Sequence, residues 1–425
     1  ILILGLFLAL LTCGRVLWHE SFKPAGQPYA DEGVLDLRGR DMGQIRTLTL
    51  DGEWEFHPGV FLMSGHAARQ EPRFVRVPGT WDAVMRPGEP TPYGFGSYRL
   101  RILIDPGDSR IYSIYVPSVR SSSKLFVNGA LLHAAGQPAP DAGGYMAVNK
   151  PFTASFSAGE NGVVELVFEA ANYSDPRGGG LVRSLKFGLN EEIQKERYLS
   201  ITMQQFILAA LLILSAYLLV LYFIDRNRKL LHSSLLSLSV AFLIFNSTED
   251  KVLLQWLSIS YGWNFRVLNL SVILLFYVMI RAWLDQPVSL RCTRATAVLR
   301  IACAAGVFLT LLLPVPSQIA LRNGIIGLAA LPALLVMFSV ARMALRGVMS
   351  NLLLALAALA LLNHFAWWTY YYAKGMRLVF YPFDLVLALM MLSTLWFSRY
   401  MALFREQRAL AAKLQEADRK KDEFL

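Results

Sequence analysis

The chain has 425 residues, 55% of them hydrophobic and 17% charged, and its 41 Lys and Arg against 31 Asp and Glu give a formal net charge of +10. These values fit an integral membrane protein with room for one further domain of ordinary size. Much of the positive excess flanks apolar segments, where charge sorting across a membrane accounts for it and excludes nucleic acid as the expected partner, and three cysteines, Cys13, Cys292 and Cys303, supply no disulfide framework.

The opening run Ile1-Leu2-Ile3-Leu4-Gly5-Leu6-Phe7-Leu8-Ala9-Leu10-Leu11 has the character of a signal-peptide apolar region or the end of an N-terminal anchor. Residues 1–18 are therefore expected to be a signal sequence or anchor remnant. Leu10-Leu11-Thr12-Cys13 is a poor lipoprotein processing site because Thr precedes the Cys.

From about Glu20 to Gln194 the composition turns to Gly, Pro, aromatics and short alternating runs, as expected for many short strands joined by turns. In Val164-Glu165-Leu166-Val167-Phe168-Glu169, the residues at 164, 166 and 168 should face a core. Asn128-Gly129, between two apolar runs, signals a hairpin. Trp54 and Phe56 alternate along one strand and read as core. Trp81, Tyr93, Phe95 and Tyr145 lie in Gly- and Pro-rich loops, where each could pack inward or stack on a sugar ring. Arg120, Asp141, Asn172 and Asp175 are candidate polar contacts to such a ligand, or solvated loop residues.

Residues 203–403 carry seven apolar segments, near 203–224, 231–247, 267–284, 297–313, 324–341, 351–372 and 379–398, each close to the ~20 residues a helix needs to cross a bilayer. Loops after odd-numbered segments hold Arg226, Arg228, Lys229, Arg291, Arg294, Arg342, Arg346, Arg399, Arg405 and Arg408. Those after even-numbered segments are poorer and mixed, with Glu249, Asp250, Lys251, Arg322, Lys374 and Arg377. Positive-inside sorting then puts residues before Met203 outside the cytoplasm and the tail inside it. Asn246, Asn269, Asn363, His364 and Asp384 fall in the outer half of these segments. They are expected either to join helices by hydrogen bonds or to form one polar pocket. The last segment contains no lysine, which excludes a retinal-type light sensor, and no internal repeat points to a transporter.

In the tail, residues 404–425, the apolar stripe narrows. Leu403, Leu410, Leu414, Ala417 and Phe424 fall on one line with steps of seven, four, three and seven, a short coiled-coil seam that continues the last segment and implies a homodimer. A solvated amphipathic helix is the other reading.

The order of Leu50-Asp51-Gly52-Glu53-Trp54-Glu55-Phe56, Val77-Pro78-Gly79-Thr80-Trp81, Tyr93-Gly94-Phe95-Gly96-Ser97-Tyr98-Arg99-Leu100 and Lys124-Leu125-Phe126-Val127-Asn128-Gly129 resembles the galactose-binding-like jelly rolls at the front of β-glucuronidases and β-galactosidases. With apolar segments following instead of a catalytic barrel, glycosidase activity is not expected. Together with these segments the chain resembles bacterial seven-transmembrane receptors with diverse intracellular signalling modules. That resemblance implies an all-β jelly-roll sandwich followed by a seven-helix transmembrane bundle and a cytoplasmic coiled-coil helix. It further implies residence in the bacterial inner membrane, contact with lipid, and an extracytoplasmic small-molecule or carbohydrate ligand. The ending Lys420-Lys421-Asp422-Glu423-Phe424-Leu425 resembles the approach to the dimerisation helix of sensor histidine kinases. This implies a following kinase domain that would carry ATP, Mg and a response-regulator partner, with no cofactor in this chain. A diguanylate cyclase or phosphatase output, or a carbohydrate-binding membrane module without signalling, remains open at this point.

Overall fold

The computed structural model describes residues 2–22, 27–64, 71–247, 250–257, 259–284, 293–321, 324, 349–374 and 379–424. By contacts the chain divides into two compact units. One comprises Trp18–Pro332 with Tyr370–Phe380, and the other Ile1–Leu17, Ala333–Thr369 and Tyr381–Leu425.

Eleven described strands in the first of these units form two sheets: β1 (Val34–Asp36), β2 (Leu48–Thr49), β3 (Gly52–Pro58), β4 (Arg73–Val77), β5 (Gly94–Leu103), β6 (Ile111–Val116), β7 (Ser122–Val127), β8 (Ala130–Ala135), β9 (Phe152–Ser157), β10 (Val163–Asn172) and β11 (Lys186–Leu189). The larger sheet has the order β4-β3-β5-β10-β7-β8, and the smaller β2-β11-β6-β9. Strand β5 shares one edge between two partners, with β3 antiparallel along Gly96–Arg99 and β1 parallel along Arg101–Leu103. Inward residues of both sheets meet in a single apolar core that includes Trp54, Phe56, Leu100, Leu166 and Phe168 from one, and Tyr112, Ile114 and Phe187 from the other. Alternation explains the choice of faces: Val164, Leu166 and Phe168 are fully buried on β10. Asn128 and Gly129 take positive φ and close a two-residue turn, leaving Val127 paired with Ala130.

The helices are α1 (Leu2–Phe22), the single turn α2 (Asp82–Met85), α3 (Asn190–Asp225), α4 (Arg228–Ser247), α5 (Val252–Trp256), α6 (Tyr261–Leu284), α7 (Thr293–Leu312), α8 (Met349–Lys374) and α9 (Phe383–Phe424), with residues 315–321 also helical. Among the described residues, five helices are long and apolar enough to cross a membrane, namely α1, α3, and the apolar parts of α6, α8 and α9. Two shorter apolar stretches, Leu230–Asn246 and Ala297–Leu312, lie in α4 and α7. Within lipid a helix satisfies its own backbone groups, which is why these apolar runs fold this way.

The expected order of a jelly roll followed by a seven-helix bundle is corrected. A 21-residue helix, α1, precedes the first strand, so the order is helix, β region, helices. The apolar opening run continues as helix to Phe22, and Arg15 on it is buried against an acidic partner within its own unit, described below. Segment 324–341 lies outside the described residues apart from Gly324, as do Glu249, Arg291, Cys292, Arg322, Arg342, Arg346 and Arg377. Helix α9 runs unbroken for 42 residues. Leu410 and Leu414 on it are exposed, while the side chains of Leu403, Ala417 and Phe424 lie outside the description.

Gly180 has φ +91°, and a Cβ there would come within 2.0 Å of the Tyr98 hydroxyl and 3.1 Å of Trp81. Gly39 has φ +71° with open space around it. Gly180→Ala should therefore destabilise the β region by about 3 kcal/mol, combining backbone strain with a clash against buried rings, and Gly39→Ala by only about 1 kcal/mol. Thermal unfolding of the detergent-solubilised chain, followed by tryptophan fluorescence, would check the ranking.

Candidate functional site at the base of the β region

Strand β11 ends at Leu189 and α3 begins at Asn190, with no linker between them. The first turns of α3 are tied back to the sheets. Glu196 accepts a hydrogen bond from Thr47 at 2.7 Å and pairs with Lys186 of β11. Arg197 donates to Thr153 of β9 at 3.0 Å, and its guanidinium lies 6.0 Å from the Tyr115 ring of β6.

Asp250, between α4 and α5, is 5% exposed. It accepts from the Tyr115 hydroxyl of β6 at 3.0 Å, and from Ser200 and Gln204 of α3, each at 2.6 Å. Its neighbour Lys251 donates to the Asn149 carbonyl at 2.9 Å. Ser200 also accepts from Gln204 at 3.2 Å and from the backbone N–H of Phe380 at 3.3 Å. Phe380 stands three residues ahead of the start of α9 at Phe383. One buried carboxylate thus gathers a strand, a helix and, through Ser200, the chain that leads into α9.

A second buried carboxylate, Asp175, lies in the loop after β10 and is fully buried. Its oxygens take the Arg177 guanidinium at 2.6 and 2.9 Å and the hydroxyl of Tyr261, the first residue of α6, at 2.7 Å. Arg120 approaches at 3.8 Å and donates to the Arg177 carbonyl at 2.9 Å. The Arg177 guanidinium also lies 5.2 Å from the Phe265 ring, one turn further along α6. Burial pushes the Asp175 carboxyl up, but the hydrogen bond and charge of Arg177, with Arg120 and Tyr261, outweigh it and hold the group below the usual carboxylate range.

Asn172 shapes this loop. Its carboxamide oxygen accepts from Ser121 and from the Asp175 N–H, both at 2.9 Å, and its NH₂ group donates to the carbonyls of Pro92 at 2.9 Å and Asp175 at 2.8 Å. Tyr145 hydrogen-bonds Ser121 and meets Tyr173 edge-on at 5.3 Å. Burial pushes the Tyr145 phenol up. Arg120, Tyr145, Asn172 and Asp175 are therefore brought together, around the head of α6.

Of the other loop candidates, Trp81 reaches the same loop, its indole N–H donating at 3.1 Å to the Pro92 carbonyl that also takes the Asn172 amide. Trp81 is fully buried, nearly parallel to Tyr98 at 6.2 Å, with Gly179 against its indole so closely that a Cβ would reach within 2.3 Å. Phe95 packs on Phe61 at 4.9 Å. Tyr93 is 38% exposed. Asp141 is exposed and accepts from the Gly143 and Gly144 N–H groups of its own turn.

The intramembrane candidates fall into both units. Asn246 donates to the Asn264 carbonyl at 3.5 Å, and Asn269 to the Gln318 side chain at 3.0 Å, in the larger unit. Asn363, His364 and Asp384 belong to the other and meet around Arg15. Sequence reasoning missed Tyr115, Ser200, Gln204 and Tyr261, and it counted Asp250 only as a loop charge. The available sign was the Glu249-Asp250 carboxylate pair in the short connection after the apolar run of α4.

Asp175→Asn should destabilise the chain at pH 7 by about 3 kcal/mol, since it leaves two arginines at a buried site without their counterion. Tyr261→Phe should cost about 1 kcal/mol. A double-mutant cycle from thermal melts would show coupling between the two. Because the Asp175 carboxyl is held low, its contribution is complete above the unfolded value of 3.8 and is lost as pH falls through the depressed native value. The gap between wild type and Asp175→Asn should accordingly close in acid.

No family model matches the sequence, and no curated protein matches it. Solved structures match over 34% of the chain, and glycosidases are among them. A GH2 β-galacturonidase from Eisenbergiella tayi bound to galacturonate is 17% identical, with 24% of that chain covered and a TM-score of 0.24. A Ruminococcus gnavus β-glucuronidase is 16% identical, with 28% covered and a TM-score of 0.26. A GH2 member from Bacteroides cellulosilyticus is 16% identical, with 20% covered and a TM-score of 0.28. The chain spans between 20% and 28% of the length of these three proteins.

Proposed function

We propose that this chain is the sensory and membrane part of a bacterial receptor of the sensor histidine kinase type, embedded in the inner membrane with its β region outside the cytoplasm. The β region takes an extracytoplasmic small molecule, in our reading a carbohydrate. The output is a change in the alignment of two α9 helices in a homodimer. Phosphotransfer, with its ATP, Mg and response regulator, would belong to a kinase domain beyond Leu425.

The observation that carries this reading is the hydrogen-bonded path from Tyr115 on β6 through Asp250 and Ser200 to the backbone of Phe380, at the approach to α9. The unbroken length of α9 supports it as well, since a continuous helix transmits a displacement of its start along its axis. Asp175 and Tyr261 give the β-region loops a second hold, on α6. A ligand shifts such a system only by its differential affinity for two arrangements. Moving from 1:99 to 99:1 takes about 5.5 kcal/mol, so a weak ligand would tune the output rather than switch it.

The test is the distance between spin labels placed at Leu410 of the full chain in nanodiscs, with and without envelope glycans on the outer face. A defined distance between protomers that changes on addition is expected. Ser200→Ala should keep the distance and suppress the change. Absence of any interprotomer distance would defeat the dimeric relay, and an unaltered response in Ser200→Ala would defeat the proposed path.

A further inference from the structure

Helix α1 is uncharged over its first thirteen residues, Leu2–Gly14, and then carries Arg15, which is 6% exposed. The Arg15 guanidinium pairs with the fully buried Asp384 of α9 at 2.5 Å and donates to the His364 Nδ1 of α8 at 3.1 Å. Since a guanidinium has no acceptor, His364 must offer its unprotonated nitrogen to it. Asn363 donates to the same Asp384 oxygen at 3.2 Å and accepts from Thr12 of α1 at 3.3 Å. The face of Tyr381 lies 4.1 Å from the guanidinium carbon. One turn before Arg15, Leu11 is buried in a small core with Ala360 of α8 and Ala388 of α9. Gly14 lets the helix approach so closely that a Cβ there would come within 2.8 Å of the Tyr381 hydroxyl.

An ionised side chain inside an apolar helix is tolerated where a partner neutralises it. Among the described residues, Arg15 is the cation that pairs with Asp384. A leader removed after export would leave Asp384 buried without its counterion, which is far more disruptive than never having had the pair. We propose that α1 is a permanent membrane helix of the mature protein, and that the Arg15–Asp384 ion pair, flanked by His364 and Asn363, is the contact that fastens it to α9. The contact stands whether or not α9 relays a signal.

Two measurements test this. Intact-mass analysis and N-terminal sequencing of the full-length protein, purified from membranes through a C-terminal tag, should find a chain that still contains Arg15. A mature chain starting beyond Arg15 would overturn the proposal. For the ion pair, cysteines at Leu11 and Ala360 in a background with Cys13, Cys292 and Cys303 changed to Ser should cross-link on mild oxidation. Arg15→Asp or Asp384→Arg alone should reduce the cross-linked fraction by about tenfold or more. The double change Arg15→Asp with Asp384→Arg should restore it, which separates loss of the pair from general misfolding. Cross-linking indifferent to all three variants, or no recovery in the double variant, would overturn the role of the pair. Leu410 label distances report on the relay separately, so failure of either reading is distinguishable from failure of the other.

Discussion

A carboxylate withdrawn from water has to be met by donors, and the side that supplies them is held in place by the debt. Asp250 and Asp175 are both out of water, and each draws donors from the sheets or their loops and from a long apolar helix. The join between the β region and α3 and α6 follows from that requirement. It is reinforced by covalent continuity, since β11 becomes α3 without an intervening residue. A rearrangement in the loops around Asn172 and Asp175 would therefore bear directly on Tyr261 and the start of α6.

The parts of the fold legible in the sequence are those governed by local period and turn chemistry. Val164, Leu166 and Phe168 announce a half-buried strand by alternation, and Asn128-Gly129 announces its turn because both residues accept positive φ. Trp54 and Phe56 alternate with charged neighbours and lie in the core as expected. The order of elements was not legible in the same way. An apolar run reads identically as a removable leader or as a helix of the folded protein, and no local pattern shows that Arg15 would be buried against a residue 369 positions away.

The site divides along the same line. Arg120, Tyr145, Asn172 and Asp175 attract notice as polar or aromatic residues in a loop-rich region, and they do come together, yet as a bonded network around Tyr261. Trp81 has a loop's neighbourhood in sequence and a core's in space, because Gly179 and Tyr98 both pack against its indole. Tyr115, Ser200 and Gln204 carry no distinguishing pattern. Their role comes from meeting Asp250 across separations of 135, 50 and 46 residues, which no local reading supplies.

Ser200 shows why this network can act as a discrete element. A hydroxyl has one proton to give and two lone pairs to offer. Ser200 uses all three, donating to Asp250 and accepting from Gln204 and from the Phe380 N–H. With no spare capacity, a shift of Asp250 driven from Tyr115 cannot be absorbed by bending one bond at Ser200. Either the hydroxyl follows and carries the Phe380 backbone with it, or one of its partners is released. Both outcomes are new hydrogen-bonding arrangements rather than small distortions of the old one, which is the condition a two-state relay has to meet.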